Sequence, residues 1–224
     1  MRESLQPSKP LRVVLFDFDG TLADSYPAIT ASVNHVRALH HLSPLSEPEV
    51  RRHVGRGPDH LLSHTVPGGD PDKDLAHYRA HHTMVMRAGT RLLPGVAETV
   101  AGLKEAGLLL AVCSNKPVAF TRQLLDFLGL APLLDVVLGP EDVARPKPAP
   151  DMLRMALQQL GVTPAEALYV GDMVVDIETA RGAGVAVWVM PTGSNDRGTL
   201  EAAGPDRVLN DLHELTQVAR AWRA

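Results

Sequence analysis

The chain has 224 residues, of which 45% are hydrophobic and 21% charged, and its formal net charge at pH 7 is -4. This composition is typical of a globular protein, and the acidic balance argues against a general nucleic-acid or membrane-surface binder, which carries a basic patch. The single cysteine excludes an intramolecular disulfide. Because no apolar run approaches the roughly 20 residues of a spanning helix, we expect a cytoplasmic protein with no membrane or nucleic-acid partner.

Short apolar runs alternate with helical patterns along most of the chain. The runs that predict buried strands are residues 11–16, 108–113, 136–138, 167–170 and 185–189. The helical patterns between them have a proline near the start and a glycine at the end, and cover residues 94–105, 117–128 and 150–160. Such alternation predicts an α/β fold with a mainly parallel sheet covered on both faces.

Residues 24–92 interrupt this alternation. They contain no convincing strand, and their patterns predict helices at 27–41, 48–54, 58–66 and 71–87. An all-helical block placed directly after the first strand indicates an inserted second domain. Its linkers are expected near residues 23–26 and 89–93.

We therefore predict two domains, a core of residues 1–22 and 93–224 and a helical cap of residues 23–92. A cap at the C-terminal edge of the sheet would cover the place where open parallel sheets bind ligands. Nine of the ten histidines fall within it, between His35 and His82. A solvated helical surface explains these histidines better than a metal site, since no third ligand stands at a suitable spacing.

Two carboxylates follow the first strand. Asp17 and Asp19 are two residues apart, so their side chains point to the same side. Like charges beside a buried strand repel one another, and a hard divalent cation such as Mg²⁺ relieves that repulsion. Gly20 permits a tight turn and Thr21 adds a hydroxyl, although a surface turn of this composition is also common.

A second acidic pair follows the predicted strand 167–170. Asp172 comes directly after it, and Asp176 stands four residues further on. Because parallel strands end at one edge of the sheet, we expect Asp172 within reach of Asp17 and Asp19. The alternative is that Asp172 caps the next helix and Asp176 is exposed on it.

Polar residues also follow the other strands. Ser114 and Asn115 stand between a strand and a helix, where a hydroxyl and free amides form an anion site. Lys147 lies between Pro146 and Pro148, which hold the backbone extended. Each feature alone is explained as well by an ordinary cap or a surface lysine, but their joint occurrence at successive strand ends is not.

Together these residues resemble the four motifs of the haloacid dehalogenase (HAD) superfamily. The resemblance covers nearly the whole chain and is nearest to the phosphoglycolate phosphatase-like branch. It rests on residues 16–22, 114–115, 147 and 171–176. The fold it implies is a Rossmann-like parallel core with an inserted α-helical cap of the C1 type.

The resemblance implies a Mg²⁺-dependent phosphatase that hydrolyses a small phosphorylated metabolite through an aspartyl-phosphate. Asp17 would be the nucleophile, and Asp19 would protonate the leaving alcohol and then activate water. The phosphate group would be bound by Thr21, Ser114, Asn115 and Lys147. The metal would be held or supported by Asp17, the backbone carbonyl of Asp19, Asp172 and Asp176.

Two further positions bear on the site. Met173 stands where many relatives have a small hydroxyl residue, and we expect it to remove one hydrogen bond without removing the chemistry. Arg56 lies between Gly55 and Gly57, where related enzymes carry a specificity loop. Arg56 or Arg52 is predicted to bind a carboxylate at the non-phosphate end of the substrate, although an exposed arginine fits the pattern equally well.

The sequence leaves the substrate open. Phosphoglycolate is one candidate, and a pyrophosphatase, a sugar-phosphate phosphatase or a β-phosphoglucomutase-like mutase are alternatives. From a different class, the chain could be a catalytically silent ligand-binding or regulatory module, although its complete set of acidic residues argues against this. Both a monomer and a homodimer remain open.

Overall fold

The computed structural model describes residues 10–216 of the chain. Its strands are β1 (Val13–Phe16), β2 (Ala23–Asp24), β3 (Arg91–Leu92), β4 (Leu109–Cys113), β5 (Val136–Leu138), β6 (Ala167–Gly171), β7 (Ala186–Val189) and β8 (Arg207–Val208). Its α-helices are α1 (Tyr26–Leu39), α2 (Glu47–Arg51), α3 (Pro58–Thr65), α4 (Pro71–Val85), α5 (Val96–Glu105), α6 (Val118–Phe127), α7 (Asp151–Leu160), α8 (Val174–Ala183) and α9 (Arg197–Ala203). Within residues 10–216, no helix is both long enough and apolar enough to cross a bilayer.

The main sheet is parallel, with the strand order β5-β4-β1-β6-β7-β8. Alternate residues of β1 enter two separate hydrophobic clusters: Val14 and Phe16 pack with α5 and α6, and Val13 and Leu15 pack with α7 and α8. Both faces of the sheet are thus covered, and the predicted α/β class is confirmed. Strand β8 could not be predicted from the sequence, because two residues are too few to show a pattern.

Helices α1 to α4 share a hydrophobic cluster of their own, which includes Val33, Val50 and Leu61. Where the sequence predicts plain linkers, the structure has an antiparallel ribbon in which β2 pairs with β3. An ion pair between Arg91 and Asp24, 2.8 Å long, closes this ribbon. The expectation that residues 24–92 contain no strand is wrong at both edges. Each ribbon strand is only two residues long, which is too short to leave a pattern in the sequence.

One buried histidine lies where α4 meets α1 and α6. The Nδ1 atom of His82 is 3.1 Å from the hydroxyl of Ser32. Its ring packs against those of Tyr78 and Phe120, with centroid distances of 5.3 and 5.1 Å. Burial, with the nearby positive charge of Lys116, lowers the pKa of His82 to about 2. The imidazole is therefore neutral at physiological pH.

We expect His82 to make the protein less stable in acid. Below about pH 6.5 the unfolded chain protonates this imidazole while the folded protein does not, so the free energy of unfolding falls as the pH falls. The contribution is about 1.4 kcal/mol per pH unit once the unfolded imidazole is fully protonated. In urea titrations from neutral pH to about pH 4.5, the His82→Asn variant should lose stability less steeply than the natural protein.

The matched control is His77→Asn, because His77 is exposed on the same helix. Its loss of stability with falling pH should follow that of the natural protein. Equal slopes for the His82→Asn variant and the natural protein would contradict this account of His82.

Candidate active site

Three carboxylates converge at the C-terminal edge of the main sheet. Asp17 follows β1, Asp172 follows β6 and Asp176 lies in the first turn of α8. All three are buried, and one oxygen of each lies within 4.8 Å of the others. Their proximity follows from the parallel pairing of β1 with β6, in which Phe16 is opposite Val170.

Asp172 has a carboxylate oxygen that the protein alone does not satisfy. Its Oδ1 accepts a hydrogen bond from the Thr21 hydroxyl at 2.7 Å, whereas its buried Oδ2 has no partner among the described residues. Burial, with repulsion from Asp176 and Asp17, raises the pKa of Asp172 well above its usual range. An unpartnered carboxylate oxygen among like charges is a natural ligand for a hard cation. The cluster can therefore hold a metal ion.

Lys147 balances the negative charge of Asp17 and Asp176. Its Nζ is 3.0 Å from Asp17 Oδ2 and 2.7 Å from Asp176 Oδ1, and it donates to the Tyr169 hydroxyl at 3.0 Å. Burial alone lowers the pKa of Lys147, but the charges of Asp17 and Asp176 outweigh that effect and raise it. The ammonium therefore stays charged although it is completely buried.

Asp176 acts mainly as a support in this arrangement. Its Oδ1 accepts from Lys147 and from the Tyr169 hydroxyl, and its Oδ2 accepts the backbone N–H groups of Asp172 and Met173 at 3.1 and 3.0 Å. Both oxygens are thus engaged by the protein. The contacts fit a residue that fixes Lys147 and the Asp172 loop better than they fit a direct metal ligand.

The carboxylate of Asp19 lies outside the acidic cluster. It accepts hydrogen bonds from Lys116 Nζ at 3.1 Å and from the Ser25 hydroxyl. Sequence reasoning missed Lys116, although it stands two residues after Ser114 in the same strand-to-helix loop. Any contact of Asp19 with a metal would therefore involve its backbone carbonyl rather than its carboxylate.

Two residues predicted to bind phosphate are engaged elsewhere. The Thr21 hydroxyl donates to Asp172. The side-chain amide of Asn115 donates to the carbonyl oxygens of Gly55 and Lys147 at 3.0 and 2.9 Å, and its Oδ1 accepts the Lys147 N–H. Both amide hydrogens of Asn115 are thus used, so its side chain cannot also donate to a phosphate. Asn115 instead joins the helical insertion to the core.

A narrow cavity of about 40 Å³ opens beside the acidic cluster. Its polar wall comes from the sheet edge and includes Asp17, Asp19, Ser114 and Lys116. Its other walls are largely apolar and include Ile29, Leu61, Tyr78, His82 and Phe120. Ser114 is also predicted to bind phosphate. It lies in the cavity wall, and its side chain is available to a ligand.

The two arginines predicted to contact substrate do not line this cavity. Arg52 and Arg56 are both exposed. Arg56 faces a neighbouring cleft that it shares with Arg79 and Glu141. Neither arginine is therefore placed to contact a carboxylate in this cavity.

Met173 packs against the helical insertion. The backbone of Gly55 lies so close to it that a Cβ at Gly55 would fall 2.4 Å from both Sδ and Cε of Met173. The φ angle of Gly55 is +116°, a conformation that side chains rarely allow. Met173 therefore forms a second contact, beside that of Asn115, between the core and the helical insertion.

Known proteins share this architecture. A model of the haloacid dehalogenase-like hydrolase family matches residues 14–190. A phosphoglycolate phosphatase of Rhodospirillum rubrum is 38% identical over 216 residues, covering 91% of this chain and 89% of that protein. An N-acetylmuramic acid 6-phosphate phosphatase of Pseudomonas aeruginosa is 37% identical over 182 residues, covering 78% of this chain and 79% of that protein.

A solved structure gives the same result. The crystal structure of a predicted phosphoglycolate phosphatase from Haemophilus somnus superposes with a TM-score of 0.86 at 27% identity, covering 94% of this chain and 99% of that one. The family match spans most of the sequence, and it includes both strands whose ends carry the acidic cluster. The chain therefore belongs to the haloacid dehalogenase-like hydrolase family.

Proposed function

We propose that the chain is a Mg²⁺-dependent phosphatase that hydrolyses a small phosphomonoester through an aspartyl-phosphate on Asp17. One observation carries the proposal: Asp17 lies in the cavity wall, bound by Lys147, and shares its acidic cluster with Asp172, which has an unpartnered oxygen. A carboxylate placed between a fixed ammonium and a cation site can approach an anionic phosphoryl group, because its repulsion from that group is compensated.

The reaction would proceed in two displacements. In the first, an Asp17 oxygen forms a bond to phosphorus, the bond from phosphorus to the leaving oxygen breaks, and Asp19 gives that oxygen a proton. In the second, Asp19 takes a proton from a water that attacks phosphorus, which releases phosphate and regenerates Asp17. Lys116 and Ser25 hold the Asp19 carboxylate at the cavity wall, where both transfers would take place.

The remaining polar residues have supporting roles. Ser114 would bind a phosphate oxygen and Lys147 would neutralise charge on Asp17 and the phosphoryl group. Asp17, Asp172 and the Asp19 carbonyl would hold Mg²⁺, and Asp176 would fix the loop that carries Asp172. The ion would supply positive charge that offsets the repulsion between the carboxylates and the phosphoryl group.

We also propose that residues 23–92 form a cap domain that moves relative to the core of residues 1–22 and 93–224. The cavity has room for only a few water-sized groups, so a substrate could not enter without such movement. Opening would break the contacts of Gly55 with Asn115 and Met173. The ends of the proposed core, residues 1–9 and 217–224, lie outside the described residues.

The names of the relatives suggest the first substrates to test. Phosphoglycolate comes first, because the 38% identical relative is named as its phosphatase. N-acetylmuramic acid 6-phosphate comes second, on a relative of nearly equal identity. From the charge and the lengths of the apolar runs, we propose a cytoplasmic enzyme with no nucleic-acid or membrane partner. For its oligomeric state we propose a monomer or a homodimer.

The natural protein should release phosphate from at least one compound of a panel containing phosphoglycolate, N-acetylmuramic acid 6-phosphate, hexose phosphates, pyrophosphate and p-nitrophenyl phosphate, and only with Mg²⁺ present. Asp17→Asn should lower kcat at least about a thousandfold, because it removes the nucleophile. Asp126→Asn, an exposed exchange of the same type on α6, is the control and should retain activity.

The other outcomes identify the alternatives. Isomerisation of a sugar phosphate without net phosphate release would indicate a mutase. Mg²⁺-dependent ligand binding with no turnover of any ester would indicate a silent binding module. Full activity of the Asp17→Asn variant would contradict the proposed nucleophile.

Mg²⁺ should raise the melting temperature of the natural protein, because the ion binds only the folded acidic cluster. Asp172→Asn should abolish that rise, since it removes a ligand. Without metal, the same variant should melt no lower than the natural protein, because burial and repulsion from Asp176 and Asp17 disfavour the ionised form of Asp172. Differential scanning calorimetry with and without Mg²⁺ measures both effects, and an unchanged Mg²⁺ response would rule out Asp172 as a ligand.

A further inference from the structure

One residue of the cavity lining has a hydrogen-bonding atom that is not used within the described part of the chain. The His82 side chain is buried and belongs to the cavity lining. Its Nε2 atom has no hydrogen-bond partner anywhere in residues 10–216. Buried polar atoms nearly always have partners, and an atom left without one in a ligand cavity indicates that the ligand supplies it.

The contacts of Ser32 determine which nitrogen of His82 carries the hydrogen. The Ser32 hydroxyl has a single hydrogen, which it donates to the carbonyl of Ala28 at 2.9 Å. Its oxygen must therefore accept from the neighbouring ring nitrogens, Nδ1 of His82 at 3.1 Å and Nδ1 of His81 at 3.3 Å. In a neutral imidazole only one nitrogen carries a hydrogen. Because Nδ1 of His82 carries it, Nε2 is a bare acceptor.

The surroundings of His82 decide which ligand groups suit that acceptor. Ile29, Leu61 and Phe120 contribute apolar surface to the cavity. The nearby cation, Lys116, is already paired with both oxygens of Asp19. A carboxylate at this place would meet a lone pair and apolar walls, whereas a hydroxyl or amide N–H would form the missing bond. Arg52 and Arg56, which could have balanced a carboxylate, are exposed and do not line the cavity.

We infer that Nε2 of His82 accepts a hydrogen bond from the leaving group of the substrate, so that the enzyme prefers phosphate esters whose leaving alcohol bears an O–H or N–H donor. This inference rests on the proposed phosphatase reaction and narrows its substrate class. It favours phosphorylated polyols, sugars and amide-bearing alcohols over plain phosphorylated carboxylates. Of the two substrates suggested by the relatives, it favours the amino-sugar phosphate over phosphoglycolate.

Matched esters test the inference on the natural protein. 2-Hydroxyethyl phosphate and n-propyl phosphate have equal numbers of heavy atoms and differ by a hydroxyl in place of a methyl. 3-Hydroxypropyl and n-butyl phosphate form a second pair with a longer reach. In at least one pair, kcat/KM should be at least about tenfold higher for the hydroxyl ester, because a site with a buried unpaired group discriminates against an analogue that lacks the partner.

Two substitutions then locate the origin of that preference. Asparagine at position 82 offers an amide N–H near the position of Nδ1, so His82→Asn keeps a donor for Ser32 and removes the acceptor. Glutamine reaches the position of Nε2, so His82→Gln retains an acceptor there. The hydroxyl-to-methyl ratio should fall to near one in His82→Asn and persist in His82→Gln. Each ratio is taken within one variant, so partial unfolding or slower turnover cancels.

The outcomes separate this inference from the proposed function. If the protein hydrolyses p-nitrophenyl phosphate but shows equal kcat/KM within both ester pairs, the role of His82 is overturned and the phosphatase stands. A hydroxyl preference that persists in His82→Asn would likewise overturn the role of His82, because another group must then hydrogen-bond to the hydroxyl. If no ester is hydrolysed at all, the proposed function itself fails.

Discussion

The buried contact between Lys147 and two carboxylates is the interaction on which the rest of the site depends. One ammonium faces Asp17 and Asp176, and a third carboxylate, Asp172, lies beside them without full compensation. Buried charges persist in proteins only when they are paired or bind an ion. The carboxylate oxygen left without a partner therefore accounts for the metal-binding capacity of the cluster.

The fold supplies this arrangement through strand register. Pairing of β1 with β6 brings Asp17 beside Asp172, and the turn into α8 places Asp176 where it binds Lys147 and the Asp172 loop together. Gly55 connects the helical insertion to the core, because Asn115 and Met173 both contact it. Strands β1 and β6 and helix α8 thus fix the carboxylates, and the helical insertion supplies the opposite wall of the cavity.

Much of this arrangement is predictable from the sequence, and the exceptions have a common cause. The parallel sheet and the approach of Asp172 to Asp17 follow from hydrophobic runs and from the rule that parallel strands end at one edge. The partners of Thr21 and Asn115, the exposure of Arg56 and the burial of His82 do not follow. Each depends on contacts between residues far apart in the chain, such as the 151 positions between Thr21 and Asp172 and the 50 between Ser32 and His82, and such contacts leave no local pattern.

Trapping the covalent intermediate is the most direct test of the central claim. The natural protein is mixed with Mg²⁺ and a hydrolysed ester, quenched in acid within one turnover, digested and analysed by mass spectrometry. The account predicts one phosphoryl group on the peptide that contains Asp17, which appears before free phosphate and disappears as substrate is exhausted. Phosphate release with the phosphoryl group on another residue, or with none on Asp17 at any time within the turnover, would contradict it.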